Sequence, residues 1–175
     1  SLADVTDGLS ATVMLVERCT PGVDGSASPQ AAPQDDWYRS GSAPFNWDVS
    51  FPNNMPSGSV AGLRAAVDGW GQQALAGGFN HYPGNGCWSG WATCHHITQL
   101  APPNWQYPNV ASSDCDFFAG SGGNPVNVFA ARSKHPGGVN VAMGDGSVRF
   151  VGQTVEYATW LAMGCRNDGI PFTMP

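Results

Sequence analysis

The segment at 134–151, with the sequence KHPGGVNVAMGDGSVRFV, constrains the fold more than any other part of this chain. Two short apolar runs, at 139–143 and 148–151, flank a tetrapeptide of turn-forming residues at 144–147. Its Asp-Gly pair is typical of a tight β-hairpin, because a type I′ turn requires positive φ at both central residues. The pattern therefore predicts two antiparallel strands joined by a type I′ turn.

His135 and Asp145 lie at opposite ends of this segment, with nine residues between them. A histidine and a carboxylate are a candidate acid–base or metal-binding pair, as a hydrolase would use. The structural interpretation gives Asp145 to the turn and makes His135 a hydrogen-bonding anchor at the start of the strand. We favour the structural interpretation, because a hairpin turn accounts for the Asp-Gly pair without any chemistry.

The rest of the chain predicts a strand at 12–16, a helix beginning at Val60, a strand at 126–130 and a short helix at 154–163. The apolar residues of the longer helix recur at 60, 63, 67, 70 and 74, which is the spacing of one helical face. Ser57 or Ser59 is its expected N-cap, whereas Thr154 is expected to cap the short helix and Gly164 to end it. Together these elements predict an α+β fold dominated by an antiparallel sheet.

Charge and motif content exclude several classes of function. The chain has seven basic and 13 acidic residues and a net charge of −6. Its basic residues do not cluster, which argues against nucleic-acid binding and against a polybasic membrane patch. Neither a serine-hydrolase motif nor a phosphate-binding glycine loop occurs. We therefore expect a protein that is not an enzyme, with no catalytic and no cofactor-binding residues.

Five cysteines without a C-x-x-C pair are typical of an oxidised, exported domain rather than a redox or zinc protein. Cys87 and Cys94 enclose a short loop and are the first candidates for a disulfide. Cys115 paired with Cys165 or with Cys19 is the second. We expect such bridges to staple the long ordered loops that occupy much of the region between about 20 and 125.

Two further sets of residues are candidates for binding. Asp114 and Asp116, or the turn carboxylate Asp145, would supply the oxygen ligands that Ca²⁺ prefers. The indoles of Trp88, Trp91 and Trp105 would suit a sugar-stacking platform, but we favour the interpretation that they pack inside a loop region that lacks other core. A calcium site and an extracellular carbohydrate- or surface-binding module are therefore kept as alternatives.

Two stretches of the chain resemble one bacterial family. SKHPGGVNVAMGDGSVRF is similar to the defining motif of the prepilin-type processing-associated H-X9-DG family, with His135, Asp145 and Gly146 at its key positions. VTDGLSAT near the start resembles a second family motif, in which Asp7 and Gly8 match and which an apolar strand and a glutamate follow. Together with a resemblance in the closing helix, these matches cover about a third of the chain, at its two ends.

The resemblance implies a pilin-like or pseudopilin-like head domain of antiparallel sheet with one or two helices. It implies a non-catalytic, exported structural subunit of a filament at the cell surface, which associates with itself or with other pilin-like subunits. Family members attach to the membrane through an N-terminal helix that is absent from this chain. Because the chain starts at Ser1 without Met, we expect a processed or truncated portion: one head domain spanning 1–175, with a variable insertion at about 20–125.

Overall fold

The structure, a computed structural model, describes residues 1–19, 38–41, 51–76, 97–112 and 127–175. Its strands and α-helices in these ranges are β1 (Val13–Val16), β2 (Tyr38–Gly41), α1 (Val60–Ala76), β3 (Asn109–Ser112), β4 (Asn127–Val128), β5 (Gly138–Met143), β6 (Val148–Gly152) and α2 (Tyr157–Gly164). Short 3-10 turns occupy Leu2–Asp4 and Pro56–Gly58. These elements confirm the predicted α+β class.

The first sheet contains the predicted hairpin and has the strand order β1-β5-β6, with both pairs antiparallel. Its inner face carries Val139, Val141 and Val151, which are all buried. The opposite, outer face carries every second residue, because side chains alternate along a strand. β1 contains an irregularity in register between Val13 and Leu15, which places Leu15 on the outer face beside Ala142. The inner face of this sheet is thus buried in the core.

The second sheet has the order β2-β3-β4, and its β2–β3 pair is parallel. The other three pairs among the described strands are antiparallel, as the predicted fold dominated by an antiparallel sheet requires, and this pair is the exception. The physical reason is the connection: α1 lies between β2 and β3 in the chain, and a crossover through a helix returns the chain in the same direction. The β3–β4 pair is antiparallel.

Helix α1 confirms the prediction made from apolar spacing. Leu63, Val67, Trp70 and Ala74 are all buried, in one core cluster with Val110 of β3. Ser59 caps the helix as one of the two predicted candidates, since its Oγ accepts a hydrogen bond from the Gly62 amide at 3.0 Å. Periodicity and capping chemistry together located this helix correctly.

Helix α2 begins later than predicted, and its N-cap is Glu156 rather than Thr154. The Glu156 carboxylate accepts hydrogen bonds from the amide and the hydroxyl of Thr159, both at 2.8 Å. The chain before it is still turning, since the Val155 amide donates to the Gly152 carbonyl. Gly164 is the last helical residue instead of the first beyond the helix. A Cβ at Gly164 would meet Gln99 Oε1 at 1.7 Å, so this glycine permits a close approach.

The described residues form two core clusters, one between α1 and the second sheet and one between α2 and the first sheet. Tyr157 of α2 packs against both clusters, and its hydroxyl donates to the Leu100 carbonyl at 2.5 Å. The buried Trp160 donates its indole N–H to the Ala101 carbonyl at 2.7 Å. Within the described ranges, no helix has the length and apolarity needed to cross a membrane.

Candidate functional site

The hairpin turn uses Asp145 as a structural acceptor. Its Oδ1 accepts hydrogen bonds from the amide and the hydroxyl of Ser147, at 2.9 and 2.7 Å, and these bonds lower the pKa of the carboxyl. Gly146 has a φ of +85°, whereas Asp145 is not among the described residues with positive φ. The predicted type I′ turn is therefore wrong. One left-handed glycine closing a three-residue loop, with Met143 N bonded to Ser147 O, is typical of a type I turn with a bulge.

The same turn holds the N-terminal segment of the chain. The Gly144 amide donates to the Thr12 carbonyl at 2.8 Å, and the Asp145 amide donates to the Leu9 carbonyl at 3.2 Å. A Cβ at Gly144 would lie 3.0 Å from the Leu9 carbonyl oxygen, so any larger residue would require Leu9 to move by a few tenths of an ångström. The two separate sequence matches, near residue 8 and near residue 145, are thus in direct contact.

At the other end of β5, Glu17 joins β1 to the hairpin. Its Oε2 accepts the backbone amide of Asn140 at 2.7 Å, and its Oε1 accepts the Asn140 side-chain amide at 2.9 Å. His135 Nε2 lies 3.1 Å from the same Oε1. Partial burial raises the pKa of Glu17, but the bonds from Asn140 and His135 outweigh it and hold the pKa below 4.5. His135 is therefore the anchor that we predicted, and its acceptor is Glu17.

Asp7 performs a third structural task. Its two carboxylate oxygens accept hydrogen bonds from the amides of Asp168 and Gly169, at 2.8 and 3.0 Å. Its own amide donates to the Arg166 carbonyl at 3.2 Å. Gly8, which follows, has a φ of +96°, a conformation that favours glycine. The Asp-Gly of the N-terminal motif thus fastens the end of the chain that follows α2.

His135 and Asp145 do not act as a pair. They flank the six residues of β5, and a strand of that length separates its ends by about 20 Å. Ser133 lies two positions before His135, but its hydroxyl donates to the Gly138 carbonyl at 2.6 Å rather than to the imidazole. These residues therefore do not bring a nucleophile and a base together in the way that acyl transfer requires.

Sequence reasoning missed Arg132, which is 1% exposed and contacts Glu17 through its backbone. Its guanidinium donates to the Trp105 carbonyl at 2.7 Å, to the Tyr107 carbonyl and to Asn109 Oδ1. Its backbone amide donates to the Glu17 carbonyl at 3.0 Å. Because a buried arginine needs many acceptors, this side chain organises the 105–109 segment and ties it to the end of β1. Nothing in the local sequence around Arg132 distinguishes it from a surface arginine.

The calcium and disulfide candidates lie largely outside the described residues, namely Asp114, Asp116, Cys87, Cys94 and Cys115. Asp145 belongs to no group of three or more metal-ligating side chains within the described part of the chain. Cys165 is a thiol, and no disulfide joins any of the described residues. Burial, followed by the charge of Asp168, raises the pKa of the Cys165 thiol to about 11. This thiol is therefore protonated at neutral pH and a weak nucleophile.

Trp105 is not part of an exposed binding platform. It is 1% exposed, and its indole N–H donates to Asp68 Oδ1 at 2.7 Å. The packing interpretation is therefore confirmed for this residue. Trp88 and Trp91, the other two members of the predicted platform, lie outside the described residues.

The Glu17 contacts should make the free energy of unfolding depend on pH. A carboxyl whose pKa is lower in the folded than in the unfolded chain stabilises the fold fully above the unfolded value, near 4.5. That contribution is lost as the pH falls through the lower folded value. We expect Glu17→Gln to cost about 1 kcal/mol at neutral pH and much less near pH 3.

Urea unfolding of both proteins across this range measures the difference. Asp145 and Glu156 also have lowered pKa values, but they titrate in both proteins and cancel. A difference that stays constant with pH would contradict the assignment of these contacts to Glu17.

Comparison with known proteins gives a family for the chain. Neither the curated proteins nor the solved structures include a match. The model of a family described as "Protein of unknown function (DUF1559)" matches residues 1–158, a range that contains Asp7, Glu17, His135 and Asp145. The chain therefore belongs to the DUF1559 family.

Proposed function

We propose that this chain is the head domain of an exported, non-catalytic structural subunit that assembles into a pilus-like filament at the cell surface. The two sequence motifs that resemble prepilin-type H-X9-DG proteins are the basis for the class of protein. The fold and the exposed surface are consistent with a role in assembly, in which the domain offers contact area instead of a reaction centre.

The motif residues support this proposal because their hydrogen bonds serve the fold. Asp7, Glu17 and Asp145 each accept hydrogen bonds from backbone amides, and His135 contacts Glu17. Together these contacts fasten β1, the hairpin and the C-terminal segment to each other. Hydrogen bonds between segments far apart in sequence would help a domain to keep its shape when neighbouring subunits bind to it.

The observation that carries the proposal is the outer face of the first sheet, formed by Leu15, Ala142, Val148 and Phe150. Leu15, Ala142 and Val148 are aligned across the three strands, and Phe150 lies opposite Asn140 in the next row. Leu15 is 71% exposed, Val148 69% and Phe150 50%. Large apolar side chains grouped on one solvent-exposed face mark an interaction surface. In a filament, neighbouring subunits would cover them.

Cell fractionation tests the proposal. An antibody raised against residues 1–175 is used to follow the protein after cells are sheared and the released filaments are collected by ultracentrifugation. We expect the protein in the sheared, sedimenting fraction, with a secreted monomeric protein of the same cells remaining in the supernatant as control. Recovery only from the cytosol, or only as a non-sedimenting monomer, would rule out a filament subunit.

A further inference from the structure

Within the described ranges, strand β6 is an edge of the first sheet. Among the described residues it pairs with β5 alone, in a register that places Val141 opposite Arg149 and Val139 opposite Val151. In an antiparallel ladder, hydrogen-bonded pairs of residues alternate with pairs that are not hydrogen-bonded. The bonds from Met143 N to Ser147 O and from Gln153 N to Gly137 O show which pairs of β5 and β6 are the bonded ones. The N–H and C=O groups of Val148 and Phe150 therefore point away from β5. No hydrogen bond from the described part of the chain reaches them.

This edge has one of the usual protections against pairing, a charged residue on the inner face, and lacks proline. Natural edge strands are commonly blocked by proline, by inward-pointing charges or by a covering element. β6 has the sequence VRFVG, and its one charged residue, Arg149, lies on the inner face opposite Val141 at the rim of the sheet, where its side chain is still exposed. Both Val148 and Phe150 expose their side chains, so the unpaired backbone groups and the outer apolar face occur on the same strand. A strand added here would gain hydrogen bonds and cover apolar surface at once.

We propose that β6 pairs with β6 of a second copy of this chain, antiparallel and about a two-fold axis at Phe150. The two first sheets then form one six-stranded sheet whose outer faces are continuous. Phe150 lies opposite Phe150 of the second copy, and Val148 lies opposite Gly152. A second copy is the favoured occupant because the edge is complementary to itself: both strands present the same donors, acceptors and apolar residues when one is rotated by half a turn.

Charge selects this register from its neighbours. Shifting the axis to Arg149 would set two arginines directly opposite each other, which is destabilising in a sheet. Shifting it to Val151 would leave Val148 outside the paired region. In the proposed register Arg149 lies opposite Val151 of the second copy and retains its attraction to Asp145 of its own chain, which contributes to the lowered pKa of Asp145. Antiparallel pairing at Phe150 therefore uses the edge fully and avoids the repulsion.

A two-fold contact is closed, since it uses the same patch on both partners and cannot propagate by itself. It would therefore join heads in pairs, between two filaments lying side by side, and would not build the filament axis. This inference rests on the proposed filament function for its biological setting, whereas the pairing of β6 is a property of the chain that can be measured separately.

Cysteine cross-linking of the full chain tests the register. Residues directly opposite in a bonded antiparallel pair have Cα atoms about 5.5 Å apart, within the range that a disulfide spans. Phe150→Cys should therefore give a disulfide-linked dimer under mild oxidation, identified by the linked peptide in mass spectrometry. Val148→Cys is the matched control, because its two copies would lie four residues out of register, roughly 14 Å apart. It should not link to its counterpart.

Sedimentation completes the test. We expect the wild-type chain to dimerise with concentration, Phe150→Lys to remain monomeric, and Leu75→Lys, which replaces an exposed apolar residue on α1, to behave as wild type. A monomeric wild-type chain, a disulfide-linked dimer of Val148→Cys but not of Phe150→Cys, or a partner at β6 other than this chain would overturn the inference. Wild-type filaments that lie side by side in bundles would support it. Single filaments in the wild type would refute lateral pairing while leaving the filament function intact.

Discussion

Replacing the buried Arg132 with methionine is expected to lower the free energy of unfolding by about 3–5 kcal/mol. Methionine fills much of the same volume, but it cannot donate to the Trp105 and Tyr107 carbonyls or to Asn109 Oδ1. The Trp105 and Tyr107 carbonyls would lose this donor, whereas Asn109 Oδ1 would keep its bond from the Ala130 amide, and each lost bond to a buried acceptor costs about 1–3 kcal/mol. We also expect the contact between the 105–109 segment and the end of β1 to loosen.

Urea unfolding followed by tryptophan fluorescence measures this loss. Arg149→Met is the matched control: it removes an exposed arginine from β6 and should change the free energy of unfolding by less than about 0.5 kcal/mol. Equal, small effects of the two substitutions would mean that Arg132 does not organise the core in the way its hydrogen bonds indicate.

Two glycines of α1 are expected to respond to alanine with opposite signs. At Gly71 a Cβ would lie 2.5 Å from Tyr107 Cβ and 2.6 Å from two ring atoms of Trp105. At Gly69 nothing lies within 4 Å of a Cβ. Alanine is favoured over glycine inside a helix by about 1 kcal/mol, so Gly69→Ala should stabilise the protein by that amount. Gly71→Ala should instead destabilise it by about 2 kcal/mol, because overpacking outweighs the helix preference.

Thermal and urea unfolding of the two single variants measures this contrast. Any general effect of alanine on α1 is the same in both variants and cancels in the comparison of their free energies of unfolding. The neighbours of Gly71 cannot easily yield, because the Trp105 indole is held by Asp68 and the contact at Tyr107 is made by its Cβ, next to the backbone. Stabilisation by both variants would show that α1 packs less closely against the 105–109 segment than the structure indicates.

Local patterns in the sequence were sufficient to predict the regular elements that bury one face. The apolar spacing of α1 and the alternation in β5 and β6 each reflect a single stretch of chain against a core. The cap at Ser59 is likewise a local interaction. The turn at Asp145 was predicted in place but with the wrong geometry, because Asp-Gly fits both a type I′ turn and a type I turn closed by a left-handed glycine.

Contacts between distant segments could not be predicted in the same way. The Glu17 bonds to Asn140 and His135 join residues more than 100 positions apart, and the parallel β2–β3 pair depends on how the chain returns after α1. The resemblance between the two motifs and one family indicated that both ends matter, but it did not indicate that they touch. Arg132 was missed because its role depends on carbonyl groups of another segment.

The motif histidine illustrates the difference between pattern and role. The sequence makes His135 and Asp145 a candidate pair. In the fold they lie at opposite ends of β5, where His135 contacts Glu17 and Asp145 contacts Ser147. The spacing of nine residues is explained by the length of the strand that must separate the Glu17 contact from the turn. The spacing therefore reflects the length of β5 in the hairpin and not the geometry of a reaction centre.

Electron cryo-microscopy of native surface filaments at side-chain resolution tests most directly whether this DUF1559 domain is the head of a filament subunit. We expect density for this fold repeated along the filament, with Leu15, Val148 and Phe150 covered by neighbouring subunits and the Glu17–His135 contact intact. Filaments whose density cannot accommodate this fold, in cells that produce the protein, would contradict it.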